Sequence, residues 1–293
     1  MKDAIIPPIP TPFIDGKLSC EKLRCNIEKL LPMGVAGVLA LGSNGESVFL
    51  SDDERCRVME TARAALPPGK ILVAGTGLES TKQTIELTNQ AAGLGADYAL
   101  VGPPHYFKSA MTPAVLYDHY ITIADASDIP ILPYNSPGFT GFNMGPELIG
   151  NLARHPNIPG VKDGTGNIAQ LAQFRRDCGD DFLIFSGNAP TFLAALFVGI
   201  NGGMMPIANC FPDSWIKLAS LFRSGQLAEA RKLESVLLAM TRSVMKYGPG
   251  GIKAAMDLGG FFGGKPILPL QPPSSAELEE IRLALKKAEA GLQ

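Results

Sequence analysis

Short apolar runs recur along the chain, and segments of helical periodicity separate them. Each run spans about four to seven residues, and most lead into a glycine or a proline, as strands followed by tight loops do. Successive runs begin roughly thirty residues apart, which is the length of one strand–helix unit. Eight runs predict β-strands, at residues 4–9, 35–41, 71–74, 98–101, 129–132, 158–161, 182–185 and 203–207.

Helical segments fill the intervals between these runs. The sequence Ser51-Asp52-Asp53-Glu54 is typical of a capping box, and Val58, Ala62 and Leu66 follow it along one helix face. Continuous apolar strands that alternate with helices indicate a parallel sheet whose outer face is covered. Eight such strands can close, so the pattern favours a (β/α)8 TIM barrel over an open doubly wound sheet.

The last part of the chain does not continue the alternation of strands and helices. From about residue 223 the pattern is helical only, a glycine- and proline-rich segment follows, and a final helix is predicted from about Ser275. We therefore divide the chain into a barrel that carries the active site, residues 1–222, and a C-terminal helical subdomain, residues 223–293, that packs on it.

Composition excludes several broad classes of protein. The 293 residues carry a formal net charge of −2, and 18% are charged, which is less than the usual quarter. A near-neutral chain lacks the basic surface of a general nucleic-acid binder, and the 46% hydrophobic content argues against disorder. The low charged fraction indicates that some surface is buried by self-association.

Cysteine and histidine content bears on metals, disulfides and compartment. Five cysteines without a C-x-x-C pair argue against a disulfide framework or a zinc site. The three histidines show no metal-binding spacing, so we predict no metal, and His119 is expected on the surface of a helix. We see no apolar leader and no run long enough to span a bilayer, and we expect a soluble, cytoplasmic protein.

Two reactive side chains follow neighbouring strands. Catalytic residues of a barrel lie at the carboxyl ends of the strands, and Lys162 comes directly after the sixth run. Desolvation there disfavours the ammonium form, so the amine can attack a carbonyl and form a Schiff base. Tyr134, at the end of the fifth run, can transfer protons beside it. The alternatives are a salt-bridged Lys162 and a Tyr134 with a purely structural role.

Two loops on the same side carry further candidates. Gly42-Ser43-Asn44-Gly45 follows the second run, and its small residues can expose backbone N–H groups to a carboxylate. His105 and Tyr106 follow the fourth run. A simple glycine turn is the alternative for the first loop.

A partial dinucleotide-binding fingerprint supports an alternative function, nucleotide binding. Gly164-x-Gly166-x-x-Ala169 follows a strand and opens a helix, as in nucleotide-binding folds. The fingerprint normally belongs to the first strand–helix unit, and here it follows the sixth strand. A nucleotide-binding or regulatory barrel without catalysis remains the alternative.

In order along the chain, these segments resemble the dihydrodipicolinate synthase / N-acetylneuraminate lyase family of pyruvate-dependent class I aldolases. No single fragment is specific, but the ordered set covers nearly the whole length. The matching segments are Thr11-Pro12-Phe13, Gly42-Ser43-Asn44-Gly45-Glu46, Ala74-Gly75-Thr76-Gly77, Tyr134-Asn135-x-Pro137, Gly160-Val161-Lys162-Asp163-x-Thr165-Gly166-Asn167, Ser186-Gly187-Asn188, Gly202-Gly203, Gly251-Ile252-Lys253-Ala254-Ala255 and Pro269-Leu270.

The resemblance implies catalytic roles. Lys162 corresponds to the lysine that forms a covalent imine with pyruvate, with no other cofactor. Tyr134 corresponds to the tyrosine that moves protons at the imine and the substrate hydroxyl. Ser43 and Tyr106 correspond to a hydroxyl relay to that tyrosine, with Tyr106 reaching in from a neighbouring subunit.

The resemblance also implies binding positions and assembly. Ser43 and Asn44 would hold the pyruvate carboxylate, while Gly187 and Met204 would form pocket walls. Family members are typically homotetramers built as dimers of dimers. The implied partners are therefore pyruvate, an aldehyde and further copies of the chain, without nucleic acid or membrane.

Two departures from the family pattern bear on the substrate. Ser43-Asn44 stands where the synthases carry two threonines, and Phe139 stands where they carry an arginine that grips the carboxylate of aspartate semialdehyde. Loss of such a charge-assisted pair costs about 2–5 kcal/mol. We therefore expect reversible cleavage of a 2-keto-3-deoxy sugar acid or a 4-hydroxy-2-oxo acid to pyruvate and an aldehyde. The alternative activity, 4-hydroxy-tetrahydrodipicolinate synthase, is disfavoured by Phe139.

Overall fold

Eight parallel strands form the centre of the protein. The structure is a computed structural model, and it describes residues 3–292. The strands are β1 (Ala4–Ile5), β2 (Gly37–Ala40), β3 (Ile71–Gly75), β4 (Tyr98–Val101), β5 (Ile131–Asn135), β6 (Gly160–Asp163), β7 (Leu183–Ser186) and β8 (Gly202–Gly203). They follow the spatial order β1-β8-β7-β6-β5-β4-β3-β2, and each neighbouring pair is parallel.

Backbone hydrogen bonds close the sheet between β1 and β2, the strands at the two ends of its spatial order. The N–H of Ala36 donates to the carbonyl of Ile5, and the N–H of Leu39 donates to Pro7, both at 2.9 Å. The N–H of Ile9 donates back to Leu39, also at 2.9 Å. Proline carbonyls still accept hydrogen bonds although proline nitrogens cannot donate them, so this proline-rich segment pairs with β2. The predicted TIM barrel is confirmed.

Helices cover the outside of the barrel, and more helices follow it. A short antiparallel hairpin, Phe13–Ile14 with Lys17–Leu18, precedes the first helix. The helices are α1 (Cys20–Leu30), α2 (Asp52–Ala65), α3 (Thr81–Gly93), α4 (Pro113–Ala126), α5 (Pro137–Thr140), α6 (Pro146–Leu152), α7 (Ile168–Cys178), α8 (Phe192–Phe197), α9 (Pro212–Arg223), α10 (Leu227–Met245), α11 (Gly248–Leu258) and α12 (Ser275–Leu292).

The capping signal at the start of α2 is confirmed. The Ser51 side chain accepts a hydrogen bond from the N–H of Glu54, and the Glu54 carboxylate accepts one from the N–H of Ser51. Val58 and Ala62 are buried on the predicted face. Among the described helices none is long and apolar enough to cross a membrane.

Several strand boundaries differ from those predicted. The first strand ends at Ile5 rather than at residue 9, because prolines interrupt the regular ladder after it. The sixth is Gly160–Asp163 rather than 158–161, so Lys162 lies inside the strand and not after it. Polar side chains that point into a barrel or pair with neighbours can occupy a strand, and an apolar run does not reveal them.

The placement of His119 on the surface was wrong. This residue lies on α4 as predicted, but it is 6% exposed, and its Nδ1 lies 2.8 Å from the Thr81 hydroxyl. Burial lowers its pKa to about 4. The helix packs against α3 on this side, which the apolar periodicity of α4 alone does not show.

The barrel has two kinds of apolar core, one inside its lumen and one between its strands and helices. A cluster that includes Leu39, Leu132, Phe185 and Met204 fills the lumen. The larger clusters lie between the strands and the helices, and one of them runs without a break from the barrel into α10, α11 and α12. The predicted boundary between residues 222 and 223 falls at the last residue of α9, and the division into two domains stays a prediction.

Candidate active site

Lys162 lies at the carboxyl end of the barrel lumen, between aromatic side chains. It is in register with Tyr134 on β5 and with Phe185 on β7. Its Nζ lies 4.2 Å from the centre of the Tyr134 ring. The residue is 4% exposed, and within residues 3–292 it forms no ion pair. Burial lowers the pKa of this lysine, which favours the neutral, nucleophilic amine.

Gly187 leaves room for the Lys162 side chain. A Cβ at this position would lie 3.3 Å from Lys162 Cε and 3.3 Å from the Asp163 carbonyl oxygen. Such contacts are tighter than ordinary van der Waals distances, so a larger residue would push the lysine aside. Met204 is fully buried below, in the same lumen cluster as Tyr134.

The loop after β2 presents Ser43 and Asn44 in a strained backbone. Both residues are half-buried, and they lie between Leu41 (φ 58°) and Glu46 (φ 56°), two non-glycine residues in the left-handed region. Each such conformation costs ~1–3 kcal/mol and persists only where the surroundings impose it. Gly75 allows the end of β3 to approach this loop closely, because a Cβ at this position would lie 2.1 Å from the Leu41 carbonyl oxygen.

A fully buried ion pair fixes the far end of this loop. Glu46 Oε1 lies 2.5 Å from Lys253 Nζ, and neither side chain is exposed. The N–H of Ile267 donates to Glu46 Oε2 at 2.7 Å, and the Lys253 ammonium lies 4.5 Å from the centre of the Phe13 ring. Burial lowers the pKa of Lys253, and the Glu46 carboxylate opposes this shift. The pair ties the Ser43 loop to helix α11.

A second polar network holds the ends of β5 and β6. The Asp163 carboxylate accepts hydrogen bonds from the side-chain amides of Asn135 (2.7 Å) and Gln170 (2.9 Å). It also accepts the backbone N–H of Thr165 at 2.9 Å and the Thr165 hydroxyl. The N–H of Met144 in turn donates to Asn135. Because Asp163 is bound on this side, it does not neutralise Lys162.

Two of the candidate residues are exposed in the single chain. Tyr106 is 79% exposed, and its ring packs edge-on against Phe107, with the ring centres 5.1 Å apart. Phe139 lies on the short helix α5 and is 66% exposed. One chain therefore assembles Lys162 and Tyr134, but it leaves the Tyr106 hydroxyl in solvent.

Sequence reasoning missed both buried networks. In the sequence, Lys253 stood out only as part of a segment shared with the family, yet it is fully buried against the loop of the candidate carboxylate-binding residues. An acidic residue in a glycine-rich loop and a lysine in an apolar helical segment were the only signals. They are 207 positions apart, so no local pattern joins them.

Comparison with known proteins places the chain in a family. Residues 1–288 match the Dihydrodipicolinate synthetase family. A 4-hydroxy-tetrahydrodipicolinate synthase of Methanoculleus marisnigri is 37% identical over 290 residues, covering 97% of this chain and 99% of that relative. A probable mitochondrial 4-hydroxy-2-oxoglutarate aldolase of Emericella nidulans is 36% identical over 264 residues, covering 88% and 85%.

Solved structures agree over the whole length. The 4-hydroxy-tetrahydrodipicolinate synthase of Methylacidiphilum fumariolicum gives a TM-score of 0.94 at 28% identity, covering 100% of this chain and 97% of that one. The dihydrodipicolinate synthase of Thermotoga maritima gives 0.93 at 30% identity, covering 99% of both chains. The chain therefore belongs to the dihydrodipicolinate synthetase family of pyruvate-dependent aldolases and lyases.

Proposed function

We propose that this chain is a Schiff-base aldolase that reversibly cleaves a 4-hydroxy-2-oxo acid, or a 2-keto-3-deoxy sugar acid, to pyruvate and an aldehyde. Enzymes of the family use a covalent Schiff base between a lysine and pyruvate and need no added cofactor. One observation carries the proposal for this chain. Lys162 is buried and unpaired among the described residues, and its Nζ lies 4.2 Å from the Tyr134 ring centre.

The reaction begins with the neutral Lys162 amine. Its lone pair attacks the C2 carbonyl of the oxo acid, loss of water gives the imine, and the imine nitrogen takes the proton of the Tyr134 hydroxyl. Backbone N–H groups and the side chains of Ser43 and Asn44 hold the C1 carboxylate beside it. The positive imine then draws electrons from the bond between C3 and C4.

Tyr134 supplies the proton transfer. Its oxygen takes the proton of the C4 hydroxyl as the C3–C4 bond breaks, and the aldehyde leaves. The bonding electrons form an enamine on Lys162, which is protonated at C3 and hydrolysed by water to pyruvate and free lysine. Ser43 and Tyr106 relay protons between Tyr134 and solvent, with Tyr106 supplied by a second copy in a homotetramer.

A synthase activity is the second candidate, because the relative from Methanoculleus marisnigri bears that name. It requires a cation for the carboxylate of aspartate semialdehyde. By the sequence resemblance, Phe139 stands where the synthases carry an arginine for this carboxylate, and its exposed ring cannot form a charge-assisted pair at that position. The relative from Emericella nidulans, named as an aldolase, supports the cleavage reaction at similar identity.

The direct experiment compares three reactions. Pyruvate release is measured from 4-hydroxy-2-oxoglutarate and from 2-keto-3-deoxygluconate, beside condensation of pyruvate with aspartate semialdehyde. We expect one cleavage reaction to exceed the condensation in kcat/KM. Tyr134→Phe should lower that kcat by about 10²–10⁴-fold, whereas Tyr117→Phe, a half-exposed tyrosine on α4, should not. Preferred turnover of aspartate semialdehyde would overturn the proposal in favour of the synthase.

A further inference from the structure

A cavity of about 410 Å³ opens beside Gly187. It lies between the loop that follows β7, the segment after β8 and helix α10. Its walls include Asn188, Pro206, Leu238, Arg242 and Met245.

The cavity adjoins the candidate nucleophile. Gly187 contributes to its wall, and a Cβ on Gly187 would lie 3.3 Å from Lys162 Cε. The part of the substrate beyond C4 must extend away from the imine on Lys162. This cavity is therefore placed to receive the part of the substrate that becomes the aldehyde.

The walls offer few hydrogen-bonding partners for a chain of hydroxyl groups. Most of the lining side chains are apolar. The Thr241 hydroxyl is already bound, donating to the Leu237 carbonyl at 2.7 Å, and the side-chain amide oxygen of Asn188 accepts a hydrogen bond from the Thr191 hydroxyl at 3.1 Å. Hydroxyl groups that leave water without new partners cost free energy, so these walls disfavour a polyol.

Arg242 is the one charged residue of this lining. Its guanidinium makes no hydrogen bond or ion pair with any residue in the part of the chain that the structure describes. By contrast, Arg175 binds the carbonyls of Gly199 and Phe182, and Arg223 pairs with Asp3. An arginine keeps its charge, and its planar fork matches a carboxylate.

We propose that Arg242 binds a carboxylate at the far end of the aldehyde, so that the substrate is an acid-tailed 4-hydroxy-2-oxo acid and not a sugar acid. This inference rests on the proposed aldolase function. Arg242 offers this carboxylate a cation from α10, at a position different from that of Phe139 on α5, and the apolar walls hold the short chain between the two reacting carbons and the carboxylate. Aspartate semialdehyde also carries a carboxylate, and the three-reaction comparison above tests it separately.

The test uses pairs of aldehydes in which the carboxylate of one member is replaced by an uncharged methyl ester in the other. Condensation with pyruvate is measured for glyoxylate and its methyl ester, and for succinic semialdehyde and its methyl ester. The wild-type protein should prefer the better acid over its ester by about tenfold or more in kcat/KM, the range of a charge-assisted hydrogen bond. Arg242→Gln should abolish the preference. Because each preference is a ratio within one protein, it does not depend on the fraction that is folded.

Arg231→Gln is the matched control, since Arg231 is an exposed arginine on the same helix. It should keep the wild-type preference for the acid. An Arg242→Gln variant that also keeps it would overturn the assignment of Arg242, and a wild-type protein without any preference would do the same. Borohydride trapping of pyruvate by the wild type separates the two proposals: trapping without acid preference refutes only this inference, and absence of trapping refutes both.

Discussion

At the scale of single residues, the reactivity of Lys162 depends on its burial and on the absence of an ion-pair partner among the described residues. A lysine at the carboxyl end of a barrel strand is visible in the primary structure. Whether a carboxylate neutralises it depends on Asp163, the next residue, which turns to Asn135 and Gln170 instead. Asn135 on β5 and Gln170 on α7 therefore determine where the Asp163 carboxylate is bound.

His119 should make the stability of the protein sensitive to acid. Its pKa is lowered to about 4 by burial, below the ordinary value of 6.5, so the unfolded state binds more protons between these values. The neutral ring therefore stabilises the fold above pH 6.5, and this contribution is lost as pH falls toward 4. Replacement by an uncharged side chain of similar polarity should remove this part of the pH dependence.

The measurement is the free energy of unfolding in urea at pH 8 and at pH 5. The difference between the two pH values should be smaller in His119→Gln than in the wild type. The values at pH 8, where the His119 ring is neutral in both the folded and the unfolded state, give the baseline cost of the substitution. An unchanged difference would contradict a buried neutral His119.

At the scale of elements, apolar runs located all eight strands but not their ends. The runs at 98–101 and 71–74 match β4 and β3 closely, because no lumen-facing polar residue interrupts them. The fifth and sixth strands extend past their apolar runs to Asn135 and Asp163, whose side chains bind each other. A strand that is predicted from hydrophobicity alone therefore ends too early, at the point where such polar pairing begins.

The Glu46–Lys253 pair should couple the loop after β2 to helix α11. Lys253→Met leaves the buried Glu46 carboxylate without its cationic partner, and such changes lower the free energy of unfolding by about 3–5 kcal/mol. Glu46→Gln together with Lys253→Met removes both charges and should be clearly more stable than Lys253→Met alone. Urea unfolding of the single and double variants provides the measurement.

An exposed pair serves as the control for this cycle. Lys82 and Glu86 lie 3.7 Å apart on α3, with side chains 84% and 62% exposed, so Lys82→Met should cost less than about 1 kcal/mol. In the contrary outcome, the loss in the free energy of unfolding of the double variant equals the sum of the losses in Glu46→Gln and Lys253→Met. That result would show that the two residues do not stabilise each other. The single variants should also raise the KM for pyruvate, since the loop carries Ser43 and Asn44.

At the scale of the whole molecule, one chain leaves part of the proposed site unfinished. Tyr106 and Phe107 are 79% and 72% exposed, which is unusual for neighbouring aromatic side chains. The sequence resemblance predicted that Tyr106 serves a neighbouring subunit. No pattern within one chain can specify that contact, because it depends on symmetry between copies.

Mixed oligomers test this role of Tyr106. Tyr106→Phe and Lys162→Ala should each lower kcat by at least about 10²-fold when assayed alone. When the two variants are co-expressed in equal amounts, sites that combine Lys162 of one chain with Tyr106 of its neighbour should restore about a quarter of the wild-type activity. Absence of any recovery in verified mixed oligomers would place Tyr106 in its own chain's site or outside catalysis.

Every proposed step depends on an imine between Lys162 and pyruvate, and reductive trapping detects this imine. The protein is incubated with pyruvate and sodium borohydride, digested, and the modified peptide is located by mass spectrometry, with Lys162→Arg as the control. We expect one reduced pyruvate adduct per chain, located on Lys162 and absent from the variant. No adduct, or an adduct on Lys253 or another lysine, would contradict it.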